Sequence, residues 1–295
     1  MKRVFRFAWV GILTALCLSG AIAVRSHLSH PRIEPVATVL PTAEVEWEPL
    51  NPARGEQSPQ AGTLWGDRTG PGPAGFLLKP VDGFRSPPHI HNVAYRGVVI
   101  SGTLHNDDPN AEDMFMPVGS FWTQPAGGIH ITAAQGNDAL AYIEVEDNFG
   151  VLPADQAFDS AEKPINVDVS NLIWLDASST DWLEQPPLRE GRESPKIAFL
   201  WGNFQGTSEP LFKGTLLKLP AGFAATLQNE GSNFRAVVIQ GRPQHQVLGQ
   251  TSLKTLEPGS YFSAPGKLAS QIISDSENQT MLYIRTDGRF HIAPA

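Results

Sequence analysis

The sequence predicts an all-β protein made of two copies of one barrel-like fold, and three observations carry that expectation. First, runs of four to eight residues rich in Val, Ile, Phe, Tyr and Trp alternate with turn signals from Val45 onward, which is the pattern of short half-buried strands. These runs include 75–80, 95–102, 120–125 and 140–146, then 197–203, 214–220, 234–241, 260–265 and 281–285. Second, the chain has 27 Gly and 25 Pro, and no stretch sustains the 3.6-residue apolar period of a helix. Third, the strand pattern repeats. Leu64-Trp65-Gly66-Asp67 recurs as Leu200-Trp201-Gly202-Asn203, Tyr95 to Ile100 recurs as Phe234 to Ile239, and Gly119-Ser120-Phe121 recurs as Gly259-Ser260-Tyr261. The offset moves only from 136 to 140 residues over this span, so order and spacing are kept together, as a duplicated unit requires.

Taken in chain order, residues 1–23 read as a signal peptide. Lys2, Arg3 and Arg6 precede an uncharged apolar run from Phe7 to Ala23, and Ala21-Ile22-Ala23 offers small residues for cleavage. The alternative is an uncleaved anchor, which would be the only membrane contact of the chain. Residues 24–41 show no periodicity and read as a flexible tether. The first copy spans 42–150, a polar link 151–162, and the second copy 163–295. The single cysteine, Cys17, falls in the signal segment, so the mature chain has no thiol to oxidise, in keeping with a periplasmic or secreted location. Hydrophobic residues make up 41% of the chain, enough for two cores. The net charge of −8 comes without a basic stripe, which argues against a nucleic-acid partner.

Three of the eight histidines fall into a pattern. His89 and His91 are two residues apart after Pro87-Pro88; in a strand they share a face and lie about 6.6 Å apart along the backbone. His130 follows Pro125 and Gly127, whose turn would deliver it onto a neighbouring strand. Tyr95 has the same parity as the first two. His27 and His30 lie in the tether, and His245 and His291 have no partner that the sequence reveals. Asp107, Asp108, Asn110, Glu112 and Asp113 read as a solvated hairpin end.

These residues resemble the two motifs of the cupin superfamily. The first motif is Gly, five residues, His-x-His, three or four residues, Glu, six residues, Gly; here Gly83, His89, His91, Tyr95 and Gly102 fill it. The second is Gly, five residues, Pro-x-Gly, two residues, His, three residues, Asn; here Gly119, Pro125, Gly127 and His130 fill it, with Ala134 at the Asn position. The chain is most similar to two-domain cupins of unknown function related to the cupin domain of the anti-sigma factor ChrR, grouped as domain of unknown function 4437. The resemblance implies a tandem cupin of two conical β-barrels, or jelly rolls, with one divalent transition metal (Zn, Fe, Mn, Ni or Cu) on His89, His91 and His130. Tyr95 replaces the usual carboxylate and is expected beside the metal; Gln124 and Glu144 are further candidates for a fourth ligand. Trp122, Phe121 and His105 are candidates for the pocket. Read across the equal spacing of Gly83–Gly102 and Gly222–Gly241, the second copy has Gln228, Glu230, Phe234 and Ser270 in place of His89, His91, Tyr95 and His130, and should keep the fold without the ion site.

Three neutral imidazoles leave the double charge of an ion uncompensated, so such a site favours anionic ligands. Three readings of function follow: a metal-dependent enzyme, dioxygenase-like or Lewis-acid, acting on a small organic anion; a non-catalytic metal or ligand sensor of the ChrR type; and a carbohydrate- or surface-binding β protein. A small-molecule ligand is expected in the first two, and a homodimer is compatible with all three.

Overall fold

The computed structural model describes residues 37–185, 193–204, 212–264 and 266–295. The predicted signal segment and most of the tether lie outside them. Among the described residues helical structure is confined to four 3-10 segments, Thr42–Glu44, Pro52–Gln57, Ala154–Gln156 and Val169–Asn171. The rest of the regular structure is antiparallel sheet, as the short alternating runs require, and the architecture is the tandem cupin fold.

The first half is built on a seven-stranded sheet. Its order is Ile165–Val167, Phe121–Gln124, Tyr95–Asp107, Ile131–Val145, Ala74–Lys79, Gln60–Trp65 and Trp47–Pro49. The two central strands are 13 and 15 residues long. Register shifts between Val99 and Ser101 and between Ser101 and Thr103 bend the first of them, since each bulge adds twist and re-aims the chain. Both strands therefore run from one wall of the barrel into the other. There the second wall is completed by the ribbon of His89–His91 on Val151–Pro153. The last of these strands falls in the segment that the sequence assigns to the link, so the first barrel reaches three residues further than expected.

The second half repeats this plan with its long strands cut in two. One sheet has the order Val39–Leu40, Tyr261–Ser263, Phe234–Gln240, Thr280–Thr286, Lys213–Leu219 and Lys196–Trp201. The other runs Lys254–Thr255, Gln244–Val247, Ala269–Ile273, Ala224–Asn229 and Phe290–Pro294. Strands are exchanged across the halves: Val39–Leu40, which the sequence assigns to the flexible tether, is instead a strand on Tyr261–Ser263, and Ile165–Val167 pairs with Phe121–Gln124. Equivalent serines of the repeated Gly-Ser motif fix both exchanges, with the Thr42 N–H donating to Ser260 Oγ and the Val169 N–H to Ser120 Oγ.

Residues 35–295 form one compact unit with three apolar cores. One fills the first barrel (Phe76, Trp122, Ile143) and one the second (Leu227, Phe234, Phe290). The third lies between the two large sheets and draws on Leu77, Val98 and Tyr142 from one half and Leu216, Val237 and Tyr283 from the other. The repeated Leu-Trp-Gly segment explains much of this interface. In both copies the Trp sits at a register shift opposite a glycine, Trp65 opposite Gly75 and Trp201 opposite Gly214. A Cβ on either glycine would collide with the indole. The indole N–H then donates to a buried tyrosine hydroxyl, Trp65 to Tyr142 at 3.0 Å and Trp201 to Tyr283 at 2.9 Å. Arginines cover the rings crosswise, Arg235 over Trp65 at 4.2 Å and Arg96 over Trp201 at 3.8 Å.

At the centre of this arrangement Glu144 and Arg285 hold equivalent register positions, opposite Gly75 and Gly214. Each side chain is 1% exposed and they pair at 3.1 Å. Arg285 also donates twice to Glu146 at 2.9 Å, and Arg96 donates to the same carboxylate. Removing one partner of such a buried pair strands the other's charge, whereas removing both does not. The substitution Arg285→Met is therefore expected to cost about 3 kcal/mol in urea unfolding. The double substitution Glu144→Leu with Arg285→Met should cost less than the single one, a coupling that a double-mutant cycle measures.

Candidate metal centre

The site is assembled by one hydrogen-bonded residue pair. The His89 N–H donates to the His130 carbonyl and the His130 N–H to the His89 carbonyl, both at 3.0 Å. This pair joins the His89–His91 ribbon to the start of the long strand Ile131–Val145. The chain reaches His130 through the Pro125–Gly128 turn, in which Gly127 has φ 73° and sits so close to Phe158 that a Cβ would clash. The Gly127 N–H donates to the His91 carbonyl at 2.8 Å. Turn and ribbon are thus tied at both histidines of the first motif.

The three imidazoles converge. Their ring centroids are 4.3 Å apart for His89 and His130, 5.0 Å for His89 and His91 and 5.1 Å for His91 and His130. One nitrogen from each lies within 4.8 Å of the other two. Each Nδ1 faces a backbone carbonyl: Pro87 for His89 at 2.9 Å, Gly150 for His91 at 2.8 Å and Gly128 for His130 at 3.0 Å. A carbonyl only accepts, so each Nδ1 carries the proton and each Nε2 presents a lone pair. Burial reinforces this state. It pushes His130 down to about 3, with the neighbouring His89 adding to the effect. It holds His91 well below the ordinary imidazole value, helped by the charges of His130 and His89. His89 is lowered by burial and, after it, by the charge of Arg54. Three unprotonated, oriented imidazole nitrogens fit a mononuclear transition metal.

Tyr95 takes the place of the carboxylate, buried with its ring edge-on to His91 at 5.1 Å. Its hydroxyl donates to Asn106 Oδ1 at 2.7 Å and lies 3.4 Å from His130 Nε2. Burial raises the phenol above its ordinary pKa, so it remains protonated. It is placed to steady the rings and to meet a ligand of the ion. Gln124 is buried nearby, but both ends of its amide are engaged: Oε1 accepts from Asn106 Nδ2 at 3.0 Å and Nε2 donates to the Gly128 carbonyl at 3.1 Å. It props the His130 turn and is not free to ligate.

Three sequence expectations need correction. Glu144 is not near the histidines: alternation along the strand turns Ile143 and Val145 into the first barrel and Glu144 towards Arg285 in the second. Phe121 belongs to the core between the barrels for the same reason, while its neighbour Trp122 does line the pocket. His105 is buried outside the pocket, with Nδ1 accepting from the Met114 N–H at 3.1 Å and Nε2 3.6 Å from Asp113.

Asn106 and Phe149 are contributors that the motifs do not reveal. Asn106 accepts from Tyr95 and from Thr132 and donates to Gln124, which links the tyrosine to the turn. Phe149 stacks on His91 at 4.2 Å with ring planes 21° apart. The cavity in front of the imidazoles measures about 120 Å³ and is walled by Leu50, Phe76, Leu78, Phe84, Ile143 and Phe149, with Arg54 at its side. The segment Pro52–Gln57 that brings Arg54 there carries no sequence signal.

The second barrel has no such cluster among the described residues. The residues that take the imidazole positions differ from those the glycine spacing suggests. Leu227 pairs with Ser270, and Leu227 and Asn229 face inward while Gln228 and Glu230 are exposed. One residue fewer before the strand and one more after it leave the glycine spacing unchanged but exchange the two faces. Asn229 closes the corresponding place by donating to the carbonyls of Gly231 and Gly266 at 3.0 and 2.8 Å.

The model of the family described as Domain of unknown function (DUF4437) matches residues 38–293. Among curated proteins none matches the chain. Similar solved structures include a candidate dioxygenase from Nostoc punctiforme, at 15% identity and a TM-score of 0.60, covering 86% of this chain and 83% of that one. A salicylate 1,2-dioxygenase from Pseudoaminobacter salicylatoxidans, in adducts with gentisate, is 16% identical with a TM-score of 0.52 and coverage of 89% and 87%. An oxalate decarboxylase from Bacillus subtilis is 12% identical with a TM-score of 0.50 and coverage of 90% and 80%. At these identities the likeness is one of fold.

Replacing His89, His91 and His130 together by Ala is expected to abolish stoichiometric metal in elemental analysis while the β-sheet circular dichroism is kept; Tyr95→Phe should retain the metal. The metal-free protein should lose stability as pH falls from about 6.5 towards 3, because the unfolded chain binds protons that the buried imidazoles refuse. Thermal melts against pH should show this slope, up to about 1.4 kcal/mol per pH unit for each histidine, and the triple variant should lack it.

Proposed function

Because the chain belongs to the family described as Domain of unknown function (DUF4437), we propose its function from the site itself: it is a metal-dependent enzyme that binds a small organic anion at an ion held by His89, His91 and His130. The observation that carries this reading is the set of three Nδ1–H bonds to backbone carbonyls, which leaves three Nε2 lone pairs free on rings that converge beside the cavity lined by His89 and His91. A structural ion has four protein ligands, whereas here Gln124 is engaged elsewhere and Glu144 faces the other barrel, so coordination positions remain for a substrate. When bound, a redox-active ion supplies oxygen activation and a redox-inert one supplies Lewis-acid polarisation.

The chain's own residues do the rest. The imidazoles bring no negative charge, so an anionic oxygen of the substrate is the complement that the site lacks. The Tyr95 hydroxyl, 3.4 Å from His130 Nε2, spends its proton on Asn106 Oδ1, and its raised pKa keeps it neutral, so it adds no competing anion beside the ion. The apolar walls exclude water from the bound molecule. The molecules named in two of the similar structures, salicylate or gentisate and oxalate, are carboxylates, which supports the same class here. The basic and then apolar segment of residues 2–23, and a mature chain free of cysteine, support work outside the cytoplasm. The ChrR-like alternative, a metal-dependent sensor, uses the same site without turnover.

Protein loaded separately with Fe(II), Mn(II) or Zn(II) and offered a panel of small carboxylates should turn over at least one of them. Oxygen uptake and product analysis read the result. The His130→Ala variant should be inactive with all. Tight binding without turnover across the panel would favour the sensor.

A further inference from the structure

Arg54 lacks a carboxylate partner among the described residues. Its guanidinium lies over the Phe84 ring, 5.2 Å from the guanidinium carbon to the centroid. It is half-buried and lines the same cavity as His89, His91 and Tyr95. The loop that carries it is pinned at its base. The Leu50 N–H donates to the Pro59 carbonyl at 2.8 Å, the Asn51 N–H to Ser58 Oγ at 2.9 Å, and Asn51 Oδ1 accepts from the Ala53 N–H at 3.1 Å. The guanidinium is thus held at the cavity with its fork of donors uncommitted to any acid, the arrangement that suits a carboxylate.

Apart from the histidines, most of the remaining cavity wall is hydrocarbon, with Asn51, Ser86, Tyr95 and Thr132 as uncharged polar members. Phe76, Leu78, Phe84, Ile143 and Phe149 present no charge, and the volume of about 120 Å³ is close to the roughly 150 Å³ in which an apolar protein cavity takes up benzene. A second carboxylate lying against these walls, out of reach of both Arg54 and the ion, would be stripped of water without compensation. Resting on the reading of the three histidines as a metal site, we propose that Arg54 is the specificity-determining residue for a monocarboxylate whose hydrocarbon body is about one six-membered ring in size. The carboxylate pairs with Arg54, the ring fills the apolar chamber, and an oxygen substituent on its far side supplies the anionic oxygen at the imidazoles. Short dianions such as oxalate are selected against.

The experiment measures calorimetric binding of benzoate, benzamide and oxalate to the wild-type protein and to Arg54→Ala and Arg54→Lys, each with and without bound metal. Benzoate should bind the wild type more tightly than oxalate does. Its affinity should fall at least tenfold in Arg54→Ala and recover in part in Arg54→Lys, while benzamide changes little. Melting temperature and metal content should be unchanged in both variants. Equal benzoate affinity in wild type and Arg54→Ala, or tighter binding of oxalate than of benzoate, overturns the proposal. The Arg54 contrast is read in the metal-free protein as well, so a wild type that holds no stoichiometric metal would remove the metal reading and leave the test of Arg54 intact.

Discussion

The reciprocal backbone pair between His89 and His130 is the constraint on which the first barrel depends. It ties the short His89–His91 ribbon to a strand that runs on through the large sheet, so the wall bearing the ligands cannot move apart from the wall bearing the core. Because the same two residues supply side chains to the site, closing the barrel and assembling the imidazoles are one event. Residues that exchange both backbone hydrogen bonds stand directly opposite each other, with their side chains on the same side of the sheet. His91 then arrives by strand parity alone, and the ring N–H bonds to Pro87, Gly150 and Gly128 set which nitrogen each ring presents. Those acceptors are main-chain atoms, so the orientation of the rings is encoded in backbone path rather than in further side chains.

This dependence on backbone explains what could be read from the sequence. The duplication, the all-β class and the three histidines were legible because they are statements about spacing: parity in a strand, Pro and Gly in a turn, one offset kept across two copies. Tyr95 as neighbour of the rings followed from parity as well. Glu144 and Phe121 were misplaced because composition cannot say which face of a strand meets a second barrel; residues 141–145 are buried on both faces, so a buried carboxylate there was as open to the other barrel as to the histidines. The comparison with the second copy held for Ser270 and Phe234 but missed the other two positions for a related reason. Equal glycine spacing concealed two compensating one-residue shifts, and a single shift is enough to turn Gln228 and Glu230 outward and Leu227 and Asn229 inward. Arg54, Asn106 and Phe149 were illegible because they meet the site from separate stretches of chain, with no common spacing to betray them.

The two ends of the cavity have complementary characters. On one side burial keeps the imidazoles unprotonated; on another stands the guanidinium of Arg54. Between them lies hydrocarbon. A molecule that satisfies all three zones must carry its negative charge at one end and its reactive function at the other, which is a narrower description than the three histidines alone provide.

The central ion pair speaks to how such a chain came to be. In a symmetric dimer of separate barrels, a residue on the rotation axis meets its own copy, so a buried acid there would face an acid and a buried base a base. Glu144 and Arg285 occupy matching places in the two repeats and carry opposite signs, a combination that two identical chains could not supply. The half without imidazoles is therefore no idle remnant: it is the counter-charged half of a pair in which neither barrel can be exchanged for a second copy of the other.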